Sequence, residues 1–256
     1  MAILRDKVAI VTGASSGIGR ATALLFAREG ASVVVAARRQ AELDTLVAEI
    51  TTNGGQATAL AGDVKDEAYA KAMVDLAVTK FGGLDIAFNN AGIVGDIGPL
   101  SDLSLEDWRA ILDTNLTSSF LGAKYQLPAM VARGGGSFIL TASFVGYTAG
   151  MPGMAAYAAS KAGQIGMVKS LAVEYGAKGI RVNALLPGGT DTPASVTHAP
   201  GAGPEVQSFI EGLHAMKRMA RPEEIAQSAL FLASDAASFT TGIALLADGG
   251  VSVNHT

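Results

Sequence analysis

The stretch TGASSGIGR, residues 12–20, follows the apolar run KVAIVTG and precedes GRATALLFAREG, whose apolar residues recur with helical periodicity. Its glycines, Gly13, Gly17 and Gly19, permit a tight turn, close approach of the backbone to a pyrophosphate, and close packing of a helix on a strand. The helix that begins here would add N–H groups and the positive end of its dipole. A glycine-rich turn without a ligand is the simpler alternative, and the spacing G-x-x-x-G-x-G differs from the commonest fingerprint. A strand before the loop and a helix after it are nevertheless the context of a dinucleotide-binding loop.

Short apolar runs rich in Val and Ile recur along the chain and end at Gly, Asn or Pro, as is typical of buried strands. Segments with helical periodicity lie between them, and glycine follows these segments directly. This alternation predicts an α/β fold of the Rossmann type, doubly wound, with a parallel sheet of about seven strands and helices on both faces. The weaker run QATALAGDV is expected at an edge of the sheet. The other runs are KVAIVTG, ASVVVAAR, GLDIAFNNAG, GSFILTAS, IRVNALLPG and GIALLADGG.

The whole chain, residues 1–256, is predicted to form a single dinucleotide-binding and catalytic domain. About half of its residues are hydrophobic, which suffices for a large core. Residues 190–218 interrupt the alternation with Pro, Gly, Ser and Thr around a short amphipathic piece. We expect this segment to be a mobile substrate lid.

Charge and composition argue against several functional classes. The net charge is −4 and no Lys/Arg cluster follows one face, so we expect no nucleic-acid partner. The chain has no cysteine, which excludes disulfides and thiolate chemistry, and the N-terminus has the pattern of neither a signal peptide nor a membrane span. We therefore expect a cytoplasmic protein without membrane contact, whose partner is a small molecule. His198, His214 and His255 have no metal-site spacing, so no metal is predicted and all three are expected in loops or at the surface.

The stretch AAYAASK, residues 155–161, places a phenol and an ammonium four residues apart. On a helix, Tyr157 and Lys161 would lie on the same face, one turn from each other. For this pair alone, a solvated lysine beside a half-buried tyrosine is the simpler interpretation.

Together, TGASSGIG, NNAG at 89–92, and Tyr157 with Lys161 resemble the short-chain dehydrogenase/reductase family in its single-domain branch. The likeness covers essentially the whole chain. It departs from the family pattern at Gly189 and Thr190, beside the expected nicotinamide carboxamide. Further family motifs occur in order: Asp63-Val64, Asn115 in DTNLTSSF, Ser143 in TASFVG, PGGTDT at 187–192, RPEEIA at 221–226 and DGG at 248–250.

The resemblance implies an oxidoreductase that transfers a hydride between a nicotinamide cofactor and a carbonyl or secondary alcohol. Tyr157 would be the acid/base, and Lys161 would hold the pKa of the phenol below its ordinary value while binding the nicotinamide ribose. Ser143 would bind the substrate oxygen, and Asn115 would sit in a helix distortion that holds a water. Phe144 and Tyr147 follow Ser143 and are expected near the substrate. The expected cofactor contacts are Gly13, Ser15, Ser16, Gly17, Ile18, Gly19, Arg38, Arg39, Asp63, Val64, Asn89, Ala91, Gly92, Tyr157, Lys161, Pro187, Gly188, Thr190 and Thr192.

Cofactor choice is predicted from VVVAARR, residues 33–39, where the second strand ends. A chain that prefers NAD usually has an acidic side chain there for the ribose 2′-hydroxyl, whereas Ala37, Arg38 and Arg39 would suit a 2′-phosphate. NADP is therefore expected over NAD.

Two alternatives to an oxidoreductase are a non-catalytic nucleotide sensor on the same fold and a methyltransferase. A methyltransferase would give the Tyr–Lys pair no role.

A symmetric homo-oligomer, a homotetramer, is also expected. LTSSFLGAKYQLPAM and AAYAASKAGQIGMVKSLAVEY have small and apolar residues on several helix faces. The alternative is that both helices are buried within one subunit.

Overall fold

The computed structural model describes residues 2–199 and 201–255. Seven strands form one sheet in the order β3-β2-β1-β4-β5-β6-β7, and every neighbouring pair is parallel. The predicted doubly wound fold is confirmed, and the weak run QATALAGDV supplies the edge strand β3. The strands are β1 (Val8–Thr12), β2 (Ser32–Ala37), β3 (Gln56–Ala61), β4 (Ile86–Asn89), β5 (Gly136–Thr141), β6 (Ile180–Pro187) and β7 (Ala244–Ala247).

The α-helices connect these strands and cover both faces of the sheet. They are α1 (Gly17–Arg28), α2 (Gln40–Thr52), α3 (Glu67–Phe81), α4 (Leu105–Leu112), α5 (Ser118–Arg133), α6 (Ala155–Gly176), α7 (Pro204–Leu213) and α8 (Pro222–Ala233). A π turn, Asp113–Thr117, joins α4 to α5, and three short 3-10 turns occur at Leu100–Asp102, Val196–His198 and Asp235–Ala237.

Two hydrophobic cores result from the alternation of side chains along each strand. In β1, Ala9 and Val11 pack on the side of α1, α2 and α8, whereas Val8 and Ile10 pack on the side of α3, α5 and α6. All five residues of β1 are buried. Because a central parallel strand has helices on both faces, its sequence is a continuous apolar run rather than an alternating one.

The strand order determines where a ligand-binding crevice forms. The chain leaves β1 towards β2 on one side and later returns to β4 on the other, so a crevice opens between the carboxyl ends of β1 and β4. This reversal is the place where open α/β sheets bind ligands. The segment 190–218 contains α7 and the turn Val196–His198 beside the crevice, and its expected mobility stays a prediction.

Across residues 2–199 and 201–255, no helix is both long and apolar enough to cross a membrane. The same residues contain no cluster of three or more His, Cys, Asp or Glu side chains that could hold a metal ion.

Candidate active site

The glycine loop folds tightly between β1 and α1. Gly13 and Gly17 have positive φ angles of 66° and 53°, which favour glycine. A Cβ on Gly19 would lie 2.3 Å from the carbonyl oxygen of Gly13, so the helix start packs directly on the loop. Ser16, the N-cap of α1, makes no side-chain hydrogen bond to the first-turn N–H groups. These groups can therefore bind an anion, and the loop fits a pyrophosphate.

A cleft of about 850 Å³ runs from this loop to the start of α6. Most of the predicted site residues line it, whereas Gly19 lies beneath the loop and Asn115 is buried behind the cleft. The lining residues among those predicted are Gly13, Ser15, Ser16, Gly17, Ile18, Arg38, Arg39, Asp63, Val64, Ala91, Gly92, Ser143, Tyr157, Lys161, Pro187, Gly188, Thr190 and Thr192. Their common position fits an extended dinucleotide.

Asn89 was expected to line the cleft, but it does not. The Asn89 and Gln126 side chains form two reciprocal hydrogen bonds of 2.8 and 3.1 Å in the core, so the amide points away from the cleft. Asn90 lines the cleft instead. The sequence NNAG did not distinguish the two asparagines, because their different directions follow from the alternation at the end of β4.

Asn90 belongs to a network that joins three strand ends. The backbone N–H groups of Asn90 and Ala91 both donate to the Thr12 hydroxyl, at 3.0 and 3.1 Å. The Asn90 amide nitrogen donates to the Thr12 carbonyl oxygen, and the Thr141 hydroxyl donates to the Asn90 amide oxygen at 3.2 Å. Sequence reasoning missed Thr12, Asn90 and Thr141, although each stands at the carboxyl end of a predicted strand.

Tyr157 and Lys161, both on α6, lie with Ser143 at the inner part of the cleft. The Lys161 ammonium nitrogen lies 5.6 Å from the centre of the Tyr157 ring and donates to the Thr141 carbonyl oxygen at 2.7 Å. Lys161 is only 3% exposed, whereas Tyr157 is half-buried and lines the cleft together with Ser143. The predicted i, i+4 arrangement on a helix is therefore present, and the third side chain comes from the end of β5.

A phenol pKa below its ordinary value was expected for Tyr157, but the pKa is raised in the protein without ligand. Burial raises the pKa of the Tyr157 phenol above its ordinary value, and the hydrogen bond with Ser143 opposes this only in part. Burial also lowers the pKa of Lys161 to about 7. Desolvation of the phenol is therefore the largest influence on its pKa.

Asn115 lies in the π turn between α4 and α5, where the resemblance implied a helix distortion. Its amide oxygen accepts from the Ile93 N–H at 2.9 Å, and its amide nitrogen donates to the Ile93 carbonyl and the Ser160 hydroxyl, both at 2.9 Å. Its own carbonyl accepts from Gln164 and Ser119. The side chain thus connects the loop after β4 to the helix that bears Tyr157 and Lys161. A water held by Asn115 stays a prediction.

The part of the cleft beyond Ser143 is apolar. Phe144 lines it as expected, whereas Tyr147 is 48% exposed and does not. The apolar side chains here are Val94, Phe144, Val145, Met151, Met154, Val196, Ile210 and Leu213.

The three histidines lie outside the helices and strands or at the surface as expected, but the burial of His214 was not foreseen. His198 and His255 are exposed, but His214 is buried against the inner end of the cleft. Its Nε2 accepts from the Gly189 N–H at 2.9 Å. Nothing in the local sequence indicated this, because the space for the ring comes from glycines far along the chain.

The adenosine end of the cleft is basic at the end of β2. Arg38 and Arg39 line it directly after Ala37, and the Arg39 guanidinium donates to the Ser15 hydroxyl of the glycine loop at 3.0 Å. Asp63 is the carboxylate on this part of the lining among the described residues.

The glycine loop at the β1–β4 crevice and the Ser–Tyr–Lys group beside it define a nucleotide-binding oxidoreductase fold. A family model described as "Enoyl-(Acyl carrier protein) reductase" matches residues 13–252. The chain belongs to the short-chain dehydrogenase/reductase family. It is 41% identical over 244 residues to a cyclohexanol dehydrogenase from Acinetobacter sp. (strain SE19), covering 95% of this chain and 94% of that protein.

Solved structures agree with this assignment. One is a protein from Beutenbergia cavernae with bound NADP at low occupancy, 38% identical with a TM-score of 0.91, covering 98% of both chains. Another is a 7α-hydroxysteroid dehydrogenase complexed with NADH and 7-oxo glycochenodeoxycholic acid. It is 36% identical with a TM-score of 0.90, covering 96% of this chain and 94% of that one. These neighbours bind nicotinamide cofactors, one NADP and the other NADH.

Proposed function

We propose that the protein transfers a hydride between NADP(H) and a carbonyl or secondary alcohol, with Tyr157 as acid and base. The observation that carries this proposal is that Ser143, Tyr157 and buried Lys161 line one cleft, which is continuous with the glycine loop. When bound, the nicotinamide would supply or accept the hydride. Pro187, Gly188, Thr190 and Thr192 line its expected end of the cleft.

Side chains of the protein would donate and accept the proton that accompanies hydride transfer. Ser143 would donate a hydrogen bond to the substrate oxygen, where negative charge develops during reduction. Because burial raises the pKa of Tyr157, the phenol is protonated near neutrality and ready to give its proton to that oxygen. In alcohol oxidation the phenol must first lose this proton, so the oxidation rate should rise with pH. Lys161 would favour the phenolate and orient the ribose.

Absorbance at 340 nm with NADPH or NADP and a panel of carbonyls and alcohols tests this activity. Turnover with at least one carbonyl–alcohol pair supports the oxidoreductase. Tight NADPH binding without turnover on the whole panel would instead support a nucleotide sensor.

The preference for NADP rests on the basic end of β2. Arg38 and Arg39 would meet a 2′-phosphate, and Ser15 already holds Arg39 towards the glycine loop. A charge-assisted contact of roughly 1.5–3 kcal/mol corresponds to a preference of about ten- to a hundredfold. The test compares kcat/KM for NADPH and NADH in the native protein and in Ala37→Asp/Arg38→Ala at one salt concentration. The double variant should reverse the ranking, and Arg5→Ala, exposed outside the cleft, should not. A native preference for NADH would contradict the proposal.

The apolar end of the cleft favours an uncharged substrate such as an alicyclic alcohol. Among the described residues, the charged side chains on the lining are Arg38, Arg39, Asp63, Lys65 and Lys161. The first four lie at the adenosine end, and Lys161 is bonded to Thr141. A carboxylate on the substrate would thus be buried without a counterion, which is costly. The similar Acinetobacter protein is named for cyclohexanol.

We expect kcat/KM for cyclohexanol to exceed that for 4-hydroxycyclohexanecarboxylate at least roughly tenfold, since an uncompensated buried charge costs more than 1.4 kcal/mol. Equal values for both alcohols would contradict an uncharged substrate while leaving the hydride transfer intact.

The homotetramer is proposed from exposed apolar side chains on the two helices. Phe120 on α5 is 52% exposed and Val173 on α6 is 86% exposed, so burial within one subunit does not account for them. Light scattering should give about four times the 26.0 kDa subunit mass. Phe120→Glu should shift the protein to smaller species without unfolding it, and a native monomer at micromolar concentration would contradict the tetramer. The cytoplasmic location stays a prediction.

A further inference from the structure

His214 follows α7 directly and is 2% exposed. The Gly189 N–H donates to Nε2 at 2.9 Å, and Nδ1 lies 2.7 Å from the Ile210 carbonyl oxygen. A backbone N–H can only donate and a carbonyl can only accept, so both bonds form only in the neutral tautomer with the proton on Nδ1. The imidazole therefore has two defined partners, one on α7 and one on the loop after β6.

Glycines from two strand ends make room for this ring. A Cβ on Gly188 would lie 2.9 Å from Nε2, and one on Gly189 would lie 2.8 Å from Cε1. A Cβ on Gly249, after β7, would lie 3.2 Å from Cδ2. The small residue at Gly189, a departure from the family pattern, is thus explained by the histidine that occupies the space.

The hydrogen bond between His214 and Gly189 is a buried attachment of a helix that otherwise lies at the surface. None of the residues of α7, Pro204–Leu213, is buried. Ile210 and Leu213 nevertheless line the apolar end of the cleft. Gly189 is also fixed from the other side, because its carbonyl accepts from the Ala220 N–H at 2.8 Å. A well-anchored loop therefore holds the end of α7 through the imidazole, and the Asn254 amide nitrogen also donates to the Gly212 and Leu213 carbonyl oxygens, at 3.3 and 3.0 Å.

We propose that His214 is a positioning residue: by accepting from the Gly189 N–H, its imidazole holds α7 over the substrate end of the cleft. Both of its ring nitrogens are bonded to backbone groups, so it acts through Ile210 and Leu213. The kinetic consequence rests on the proposed function, whereas the attachment of α7 does not.

Two amide variants separate the two bonds of the ring. In His214→Gln, the side-chain oxygen reaches the position of Nε2 and keeps an acceptor for Gly189. In His214→Asn, the amide nitrogen replaces Nδ1 and leaves the buried Gly189 N–H without its acceptor, which is unfavourable. His198→Asn is the matched control, because it makes the same change at an exposed histidine of the same segment.

The first measurement is hydrogen exchange of the peptide covering residues 204–213 in the full-length protein without cofactor or substrate. Exchange should be roughly tenfold faster in His214→Asn, and within about twofold of native in His214→Gln and His198→Asn. Gly189→Ala, whose Cβ would displace the ring, should accelerate exchange as His214→Asn does. Unchanged exchange in His214→Asn and Gly189→Ala would overturn the proposal, as would equal acceleration in His214→Gln and His214→Asn.

The second measurement is steady-state kinetics with cyclohexanol and NADP. The KM of His214→Asn for the alcohol should rise about tenfold while kcat stays within about twofold, because only the population of the positioned helix falls. A lower kcat with unchanged KM would overturn the positioning role. If the native protein oxidises no alcohol, the proposed function fails, and the exchange experiment still decides the attachment of α7.

Discussion

Gly19→Ala tests whether the packing of the glycine loop determines cofactor binding. The added Cβ would lie 2.3 Å from the Gly13 carbonyl oxygen and 2.7 Å from its carbonyl carbon. Ordinary van der Waals contact begins near 3.4 Å, so the loop and the start of α1 must separate by about 1 Å. The two nearest atoms belong to the Gly13 backbone, so no side-chain rotation can relieve their overlap with the new Cβ.

Overpacking of this kind costs roughly 1–3 kcal/mol of folding free energy. For a domain of this size, that corresponds to a decrease in Tm of roughly 2–12 °C. The displaced first-turn N–H groups would also lose part of their bonding to a pyrophosphate. At roughly 1.5 kcal/mol or more for each charge-assisted bond, the Kd for NADPH should rise at least about tenfold.

Differential scanning calorimetry and fluorescence titration with NADPH provide the two values. Gly212→Ala is the matched control, because Gly212 is also helical and a Cβ there would meet no atom within 4 Å. That variant should lose no stability and should gain up to about 1 kcal/mol from helix propensity. A Gly19→Ala protein with native Tm would refute the packing argument, and a lower Tm with native Kd would refute the placement of the pyrophosphate.

Three further results are expected. Tyr157→Phe should keep its fold and its NADPH affinity but lose at least roughly a hundredfold in kcat. Tyr175→Phe, on the same helix but outside the cleft, should remain active. Near-normal turnover in Tyr157→Phe would remove Tyr157 from the mechanism. Because the pKa of Lys161 falls from 10.5 to about 7 on folding, the unfolded chain binds more protons between these values and stability should rise with pH there. Urea unfolding from pH 7 to 9.5 should show a smaller rise in Lys161→Met, and identical slopes would contradict the shift. Thr12→Val leaves two N–H groups without their acceptor and should cost roughly 1–3 kcal/mol in the same assay; no loss would show that the strand-end network is unimportant.

The sequence alone predicted the features that depend on local pattern. Strand and helix periods, and the glycine loop between β1 and α1, are encoded within windows of a few residues. The same is true of Tyr157 and Lys161, because two residues four positions apart on a helix lie on the same face. The resemblance to the family then identified Asp63, Asn115 and Ser143 as candidate site residues, and all three lie at or just behind the cleft.

The tertiary structure decided what depends on residues distant in the chain. Thr12 and Asn90 are 78 positions apart, and their bonds make Asn90, rather than Asn89, the asparagine of the cleft. Burial, which is a property of the packed fold, reversed the expected pKa shift of Tyr157. His214 is separated by 25 positions from Gly189, and only their contact distinguishes it from a surface histidine. Side-chain direction, desolvation and long-range hydrogen bonds arise when separate segments meet, so no local pattern contains them.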